Sequence, residues 1–240
     1  MTESKTDLEL AGDHRYRLLN GELAVSVTTI SGLMDDGKSM GFAYAAVKLA
    51  RDGLDFRTEW NAKGARGTNI HSHLESFLRG ESIEESEDEK GYVDALAAFI
   101  TDHDPKVIEQ EAVVLSEIGY GGRFDLLFQA QRGEYEGLVI LADLKTGKPY
   151  PVEHTLQLAG YRFADGIAEY DEAGALTGIR PLPDVDLTMG LYVREDGGYD
   201  LITYPADAWA HDVFLDLLLA HEWAHSDVMK ATAKAARGKK

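Results

Sequence analysis

The segment 138–145, with the sequence LVILADLK, constrains the fold of this chain more than any other feature. Apolar residues occupy every position except those of Asp143 and Lys145. A strand of this kind is typical of the centre of a sheet that is covered on both faces. Because helical patterns stand before and after it in the chain, we expect helices to supply the covering layers.

Apolar periodicity predicts the remaining elements. It predicts helices at Met40–Arg51, Thr68–Leu78 with Thr68 as the N-cap, Tyr92–His103, Thr155–Tyr170 and Ala206–Ala236. It predicts strands at Ala24–Ile30, Val107–Ile118, Arg123–Gln131 and Leu138–Lys145, a turn at Gly119–Gly122, and a hairpin of Asp186–Arg194 with Tyr199–Tyr204. This order of elements predicts an α/β fold with a central mixed β-sheet flanked by helices.

The composition is that of an ordinary globular chain, and we expect one domain over residues 1–240. The chain has no cysteine, which excludes disulfides, thiolate zinc sites and cysteine-ligated iron–sulfur clusters. No apolar run approaches the roughly 20 residues of a membrane helix, and the polar N-terminus does not resemble a signal peptide. We therefore expect a cytoplasmic protein, in which the terminal segments 1–24 and 230–240 are candidates for disorder.

The net charge of −18 argues against nonspecific binding of nucleic acid by the surface as a whole. Basic residues are nevertheless concentrated in two segments. Six basic residues stand against three acids between Lys38 and Arg66, and five stand without any acid between Lys230 and Lys240. Contact with a polyanion would have to involve these local segments.

Polar side chains within the central strands indicate chemistry. Alternation along the strand places Asp143 and Lys145 on one face, about 7 Å apart. If this strand pairs with the preceding one, Asp125 approaches Asp143, and two carboxylates ~4 Å apart repel by roughly 4 kcal/mol at an effective dielectric of 20. A shared proton, a basic residue or a divalent cation must offset that repulsion. A structural ion pair of Asp143 with Lys145 is the alternative interpretation.

Five short motifs follow one another in the chain: SVTTI at 26–30, RGTNIH at 66–71, GYGGRFDLL at 119–127, VILADLKTGK at 139–148 and QLAGYRFA at 157–164. The last three resemble the G-x-x-D, D-x-K-T-G and Q-x-x-x-Y motifs of the PD-(D/E)XK nuclease superfamily. The branch that the whole set resembles is that of the RecB/Cas4-type exonucleases found in phages. The resemblance implies a restriction-endonuclease-like core and a metal-dependent DNA exonuclease of recombination, repair or phage DNA processing.

The resemblance also implies roles for individual residues. The implied catalytic residues are Asp125, Asp143, Lys145 and Glu111, and the implied metal ligands are His71, Asp125 and Asp143, with the carbonyl of Leu144 as a further ligand. Lys145 would orient or deprotonate the attacking water and stabilise the charge on the phosphate. The implied DNA-binding residues are Gln157, Tyr161, Thr146 and Lys148.

Oxygen ligands with one imidazole suit Mg²⁺ or Mn²⁺ better than zinc, so one of these is the expected cofactor. The expected partners are DNA and, in recombination, a recombinase or single-strand annealing protein. Cas4 proteins proper carry cysteines for an iron–sulfur cluster, which this chain cannot hold. This departure favours a free-standing exonuclease of the phage type over a role in CRISPR adaptation.

Two assignments within the motifs have close competitors. On a helical wheel His71 and His73 lie on opposite flanks of the buried stripe, and spacing alone does not choose between them. The motif chooses His71. The acid on the strand before Asp125 is Glu109 or Glu111, which share a face under simple alternation, and we favour Glu111.

Two other functions are compatible with the sequence. HEWAH at 221–225 matches the H-E-x-x-H pattern, in which His221 and His225 bind zinc and Glu222 is the base of a metalloprotease. No histidine stands at the usual downstream position, so we expect an amphipathic helix with an incidental match. The remaining alternative is a nuclease fold without catalysis that binds DNA or assembles with other proteins.

Overall fold

The structure is a computed structural model that describes residues 5–34 and 37–237. In these ranges nine strands form one mixed sheet: β1 Tyr16–Arg17, β2 Leu23–Ser26, β3 Pro105–Ser116, β4 Tyr120–Ala130, β5 Val139–Lys145, β6 Gly166–Tyr170, β7 Leu176–Arg180, β8 Leu187–Val193 and β9 Tyr199–Thr203. The helices are α1 Asp7–Gly12, α2 Val27–Ser31, α3 Lys38–Arg51, α4 Phe56–Leu78, α5 Lys90–His103, α6 Pro151–Arg162, α7 Ala208–Ala224 and α8 Asp227–Arg237.

The main path of the sheet has the strand order β7-β6-β3-β4-β5-β8-β9, while β2 pairs with β4 and β1 pairs with β2. Strand β5 lies inside the sheet, antiparallel to β4 and parallel to β8. A parallel neighbour requires a crossover connection, and α6 lies within the one between β5 and β8. The predicted α/β class, with a central mixed sheet flanked by helices, is confirmed.

Helices cover both faces of β5. On one face, a cluster built from α2, α6 and α7 includes Leu141 of β5 and Phe214 of α7. On the other face, Ile70 of α4 and Phe99 of α5 pack with Ile140 and other residues of β5. Among the described residues, no helix combines the length and the apolar character needed to cross a membrane.

The predicted helix at Thr155–Tyr170 is wrong in its second half. Helix α6 ends at Arg162, and the following residues form β6, which pairs with β7. The carboxylate of Asp171 accepts hydrogen bonds from the backbone of Ala173 and Ala175, which stabilises the turn between these strands. An Asp-x-x-Gly sequence between two strand-like runs was the local signal for this hairpin.

The predicted long helix at Ala206–Ala236 is two helices. Asp207 caps the first one by accepting the N–H of Ala210, and that helix ends at Ala224. His225 is its C-cap, so the chain leaves the helix within the H-E-x-x-H sequence. The second helix, α8, begins at Asp227.

The predicted N-cap at Thr68 is also wrong, because α4 begins more than three turns earlier. Asp55 is the N-cap and accepts the backbone N–H of Thr58 at 2.8 Å. Gly64 and Gly67 lie within the helix and do not interrupt it. Similarly, the strand predicted at Ala24–Ile30 becomes the short β2 followed by α2.

The turn predicted at Gly119–Gly122 lies earlier in the chain, and β4 already begins at Tyr120. Gly121 and Gly122 are strand residues at points of close approach. A Cβ at Gly122 would lie 2.5 Å from Cε1 of Tyr161, and one at Gly121 would lie 2.8 Å from Cδ2 of Leu115. Close packing explains these glycines, which sequence analysis assigned to a turn.

Much of the terminal segments that were candidates for disorder is folded. Thr6 and Glu9 form a capping box at the start of α1. Ala11, Tyr16 and Leu18 are buried in a small third core cluster. At the other end, residues 230–237 belong to α8, whereas residues 1–4 and 238–240 lie outside the described ranges.

Candidate active site

The candidate site lies where β4 and β5 stop pairing. Their ladder joins Leu126–Gln129 with Val139–Ala142, and Asp125 and Asp143 are the next residues beyond its end. The backbone N–H of Leu144 is therefore available on that side and donates to Oδ2 of Asp125 at 2.5 Å. The separation of the two strands makes room for polar side chains inside an otherwise apolar sheet.

The first half of the site joins an imidazole with two carboxylates. His71 on α4, Glu111 on β3 and Asp125 on β4 each offer a ligand atom, and these atoms lie within 4.8 Å of one another. Nδ1 of His71 is 3.0 Å from Oδ1 of Asp125. His73 points elsewhere, with its Nε2 3.4 Å from Oε2 of Glu89.

Backbone irregularity in β3 separates the two candidate acids. The register with β4 shifts between Val107 and Glu109, and Glu111 has a φ of +50°. Glu109 pairs with Arg180 at 2.6 Å, whereas Glu111 joins the cluster with His71. Simple alternation could not separate them, because it assumes a regular strand.

The second half of the site surrounds Asp143. Lys145 forms an ion pair with Oδ2 of Asp143 and donates to Oε1 of Gln157 at 3.2 Å. The amide nitrogen of Gln157 lies 2.9 Å both from Oδ1 of Asp143 and from the hydroxyl of Tyr161. The sequence-based ligand set of His71, Asp125 and Asp143 is thus only partly assembled, because Lys145 and Gln157 engage both oxygens of Asp143.

The electrostatic environment of the first half favours a charged imidazole. Burial opposes protonation of His71, but the carboxylate of Asp125 outweighs it and raises the pKa of His71 to about 9. Burial, together with the negative charge of Asp125, raises the pKa of Glu111 to about 7. Burial also acts against ionisation of Asp125, but His71 holds the pKa of Asp125 below its usual value.

In the second half, burial raises the pKa of Asp143 even though Lys145 acts in the opposite direction. Burial also acts against the charge of Lys145, but Asp143 and Asp125 raise the pKa of Lys145 overall. The repulsion expected between Asp125 and Asp143 is therefore offset by two cations, because His71 pairs with one carboxylate and Lys145 with the other.

The donor set of the first half fits a hard divalent cation. Two carboxylates and one imidazole converge from three different elements. Burial and the charge of Asp125 raise the pKa of Glu111, and a cation at this position would stabilise its ionised form. The residues that could hold such an ion are His71, Glu111 and Asp125.

A cleft of about 430 Å³ opens onto this cluster. One wall is α4, with Gly64, Gly67 and Thr68. The position of a Cβ at Gly67 is 3.6 Å from Oγ1 of Thr146, so the D-x-K-T-G loop approaches α4 where that helix has no side chain.

Two of the predicted DNA-binding residues are not accessible. Gln157 and Tyr161 are buried, 5% and 2% exposed, because α6 packs against the sheet. Gln157 contacts Asp143 and Lys145, and Tyr161 contacts Gln157. Their burial argues against the predicted direct contact with DNA. Lys148 is exposed and Thr146 is half-buried, both in the segment after β5.

The H-E-x-x-H sequence lies at the exposed end of α7. The rings of His221 and His225 stack at 4.1 Å, and Nδ1 of His225 donates to the carbonyl of His221. Within residues 5–34 and 37–237, no third His, Asp or Glu completes a metal cluster there. The helix is amphipathic: Leu218 is buried, whereas Leu219 and Trp223 are 64% and 65% exposed.

Two further residues of the cleft were not found from the sequence. Arg123 on β4 pairs with Glu111, Nε to Oε2, at 3.0 Å. His14 follows α1 and lines the same cleft. The alternation that placed Asp125 also places Arg123 on its face, which was the available signal; no sequence pattern connects His14 with the site.

No protein-family model matches the sequence, and no curated protein matches it. Among solved structures, a crystal structure of SSO0001 aligns with 89% of this chain and 82% of its own, at 17% identity and a TM-score of 0.41. Similarity at that level supports no conclusion about function.

Proposed function

We propose that this chain is a divalent-metal-dependent DNA exonuclease that hydrolyses phosphodiester bonds in recombination, repair or phage DNA processing. The observation that carries the proposal is the convergence of His71, Glu111 and Asp125 next to the Asp143–Lys145 pair, where β4 and β5 separate. The motif resemblance supplies the reaction class, and the geometry supports it by placing these residues in one site.

The metal would be held by His71, Glu111 and Asp125, with Mg²⁺ or Mn²⁺ as the ion that the donor set favours. A divalent ion at this position supplies Lewis-acid stabilisation of the charge that develops on the scissile phosphate.

Lys145 acts as a fixed positive charge. Because Asp143 and Asp125 raise its pKa, Lys145 is protonated at neutral pH. It can therefore orient the attacking water and stabilise the transition-state phosphate, but it does not remove a proton from the water while in this state. This geometry favours the electrostatic role over the general-base role that the resemblance left open.

Gln157 and Tyr161 keep that charge in place. The amide of Gln157 contacts Asp143, Lys145 and the hydroxyl of Tyr161, so it fixes the ion pair from the α6 side. A lysine held on two sides loses little freedom when the substrate arrives, which is the benefit of a preorganised site.

The test uses linear DNA with a label at the 5′ or the 3′ end, incubated with Mg²⁺ or Mn²⁺. We expect labelled nucleotides to be released by the wild-type protein, and no release with EDTA or with Asp125→Ala. Asp227→Asn, on an exposed side chain of α8, is the matched control and should retain activity. A protein that shifts DNA in a gel but releases nothing under any of these conditions would instead be a silent binding module.

DNA is the proposed macromolecular partner, together with a recombinase or single-strand annealing protein where the enzyme acts in recombination. The proposed compartment is the cytoplasm, which is that of the host if a phage encodes the chain.

A further inference from the structure

The N-terminal segment contributes a side chain to the cleft through an unusual backbone conformation. His14 has a φ of +57°; its N–H donates to the carbonyl of Ala11, and the N–H of Arg15 donates to the carbonyl of Leu10. These two bonds form a Schellman motif at the end of α1, and His14 occupies the left-handed position that glycine usually fills. The chain thus places an imidazole where the backbone would be less strained with glycine.

The imidazole of His14 faces the active site. It lines the same cleft as His71, Glu111 and Asp125, and its Nδ1 is 3.4 Å from the hydroxyl of Tyr16. Burial, followed by the charge of Arg123, lowers the pKa of His14, which is therefore a neutral hydrogen-bonding group at pH 7.

Arg123 supplies a cation to the same part of the cleft. Its Nε faces Glu111, and in the described part of the chain Nη1 and Nη2 make no hydrogen bond. A guanidinium has five N–H donors in a geometry that suits phosphate oxygens. Most of the donors of Arg123 are therefore available at the surface of the cleft, where its side chain is 29% exposed.

The spacing along β4 suits two neighbouring groups of one ligand. Arg123 and Asp125 both line the cleft and are two residues apart, or about 7 Å along a strand. This spacing is comparable with that of successive phosphates in a nucleic-acid strand. A phosphate at Asp125 and its metal would place the next phosphate near Arg123.

We propose that His14 and Arg123 form a phosphate-binding subsite, which holds the phosphate of the DNA strand next to the one that is hydrolysed. The proposal rests on the proposed nuclease function and adds a specificity-determining site to it. It would give this acidic chain a local site for a polyanion outside the two basic segments of residues 38–66 and 230–240. If Glu111 coordinates a divalent ion, the ion offsets the negative charge of the Glu111 carboxylate. The guanidinium of Arg123 is then available to bind the phosphate.

The experiment measures cleavage of short single-stranded oligonucleotides with Mg²⁺ by the wild-type protein, Arg123→Gln and His14→Gly. We expect the KM of Arg123→Gln to rise roughly 10- to 100-fold, the usual size for a lost charge-assisted hydrogen bond. His14→Gly should raise KM by a smaller factor without lowering the melting temperature, because glycine suits the left-handed position.

Oligonucleotides with a single neutral methylphosphonate distinguish phosphate binding from mere positioning of Glu111. A methylphosphonate at the linkage beside the scissile one should raise the KM of the wild-type protein. It should not raise the KM of Arg123→Gln any further, because that variant has already lost the interaction. If both proteins respond equally at every linkage, Arg123 does not bind phosphate and the proposal is wrong. Oligonucleotides with and without terminal phosphates show whether the bound group is an end monoester or an internal diester.

Arg180→Gln is the matched control. Arg180 of β7 pairs with Glu109 of β3 at 2.6 Å, outside the cleft. Loss of the Arg180 charge should therefore leave KM unchanged. An equal rise of KM in this variant would overturn the proposal.

A second readout keeps the subsite testable if the chain cleaves no DNA. Binding of the same oligonucleotides with Mg²⁺ is then measured by fluorescence anisotropy. Weaker binding by Arg123→Gln and His14→Gly than by Arg180→Gln would support the subsite while the exonuclease proposal fails. Equal binding by all three variants would exclude the subsite.

Discussion

Histidines lie close to acidic residues in two regions of this molecule, and the pKa of a histidine shifts in opposite directions in the two. In the cleft, His71 lies among carboxylates from two strands, and its pKa is raised to about 9 despite burial. At the end of α7, the rings of His221 and His225 stack on each other, and burial followed by the charge of His225 lowers the pKa of His221. The first region stabilises a protonated, positively charged imidazole, whereas the second destabilises one.

The difference shows what a motif requires beyond its spacing. H-E-x-x-H spacing places two imidazoles on one side of a helix, but here the helix ends at Ala224 and His225 is already its C-cap. The cleft has no such spacing in sequence, since His71, Glu111 and Asp125 come from α4, β3 and β4. Convergence of separate elements, rather than proximity in the chain, builds the cation-attracting region.

The largest expected effect is that of Asp125→Ala. Asp125 pairs with His71 and accepts the N–H of Leu144, so it is the centre of the proposed ligand set. We expect loss of divalent-ion binding in calorimetry and a fall in cleavage of more than roughly 10³-fold. Retained ion binding would place the metal elsewhere and would remove the contrast between the two regions.

Lys145→Ala should fail in a different way. We expect turnover to fall by roughly 10²–10³, the usual size for loss of one electrostatic partner in the transition state. Binding of the divalent ion should persist, because the substitution removes a positive charge that repels the ion. Asp143 is left buried without its ion-pair partner, and the free energy of unfolding should fall by about 3 kcal/mol.

A double variant separates chemistry from stability. Asp143→Asn with Lys145→Met removes both charges, so it should unfold at a higher temperature than Lys145→Ala but cleave no faster. If Lys145→Ala melts several degrees lower yet digests DNA at the normal rate, the pair is structural, as the alternative interpretation of the sequence holds.

The affinity for the divalent ion should rise with pH. In the metal-free protein His71, with a pKa of about 9, and Glu111, with a pKa of about 7, carry protons that a metal must displace. Between pH 7 and 9, affinity should increase about tenfold per unit and then level off. Calorimetry in buffers of different ionisation enthalpy should detect more than one proton released per ion at pH 7. A pH-independent affinity would show that His71 is not a ligand.

Much of the fold could be predicted from the sequence where one element has one clear pattern. The nearly continuous apolar run of β5 and the hairpin of β8 and β9 were located within one or two residues. The errors fall where tertiary packing overrides the local pattern. Gly121 and Gly122 were assigned to a turn because the side chains that crowd them, those of Leu115 and Tyr161, come from other elements.

The sequence predicted the site residues only where side chains alternate regularly between the two faces of a strand. Alternation placed Asp143 beside Lys145, and the structure has them as an ion pair. It did not separate Glu109 from Glu111, because the irregular backbone of β3 does so. His14 was beyond prediction, since its place in the cleft depends on how α1 docks, through bonds such as that from the backbone N–H of Leu176 to Asp7.

The next smaller effect separates the two histidines of α4. His71→Ala should weaken ion binding by roughly 10- to 100-fold and remove the pH dependence between 7 and 9. His73→Ala is the matched control on the same helix, because His73 pairs with Glu89 away from the cleft. It should bind the ion as the wild-type protein does, apart from a modest loss of stability. Equal affinity of the two variants would remove His71 from the ligand set.

The smallest expected effect is that of the double variant His221→Ala with His225→Ala. Neither His221 nor His225 belongs to the cluster of His71, Glu111 and Asp125, and substitutions outside the core usually change the free energy of unfolding by less than about 0.5 kcal/mol. Ion binding, its pH dependence and DNA cleavage should therefore remain at wild-type levels, and zinc should not bind stoichiometrically to either protein. The measurements are metal analysis after dialysis, calorimetry and the end-labelled digest. If the variant folds normally but loses both a bound zinc ion and all activity, the end of α7 is the functional region. In that case the spacing of the two histidines along the helix, rather than the electrostatic environment of each imidazole, would identify the functional region.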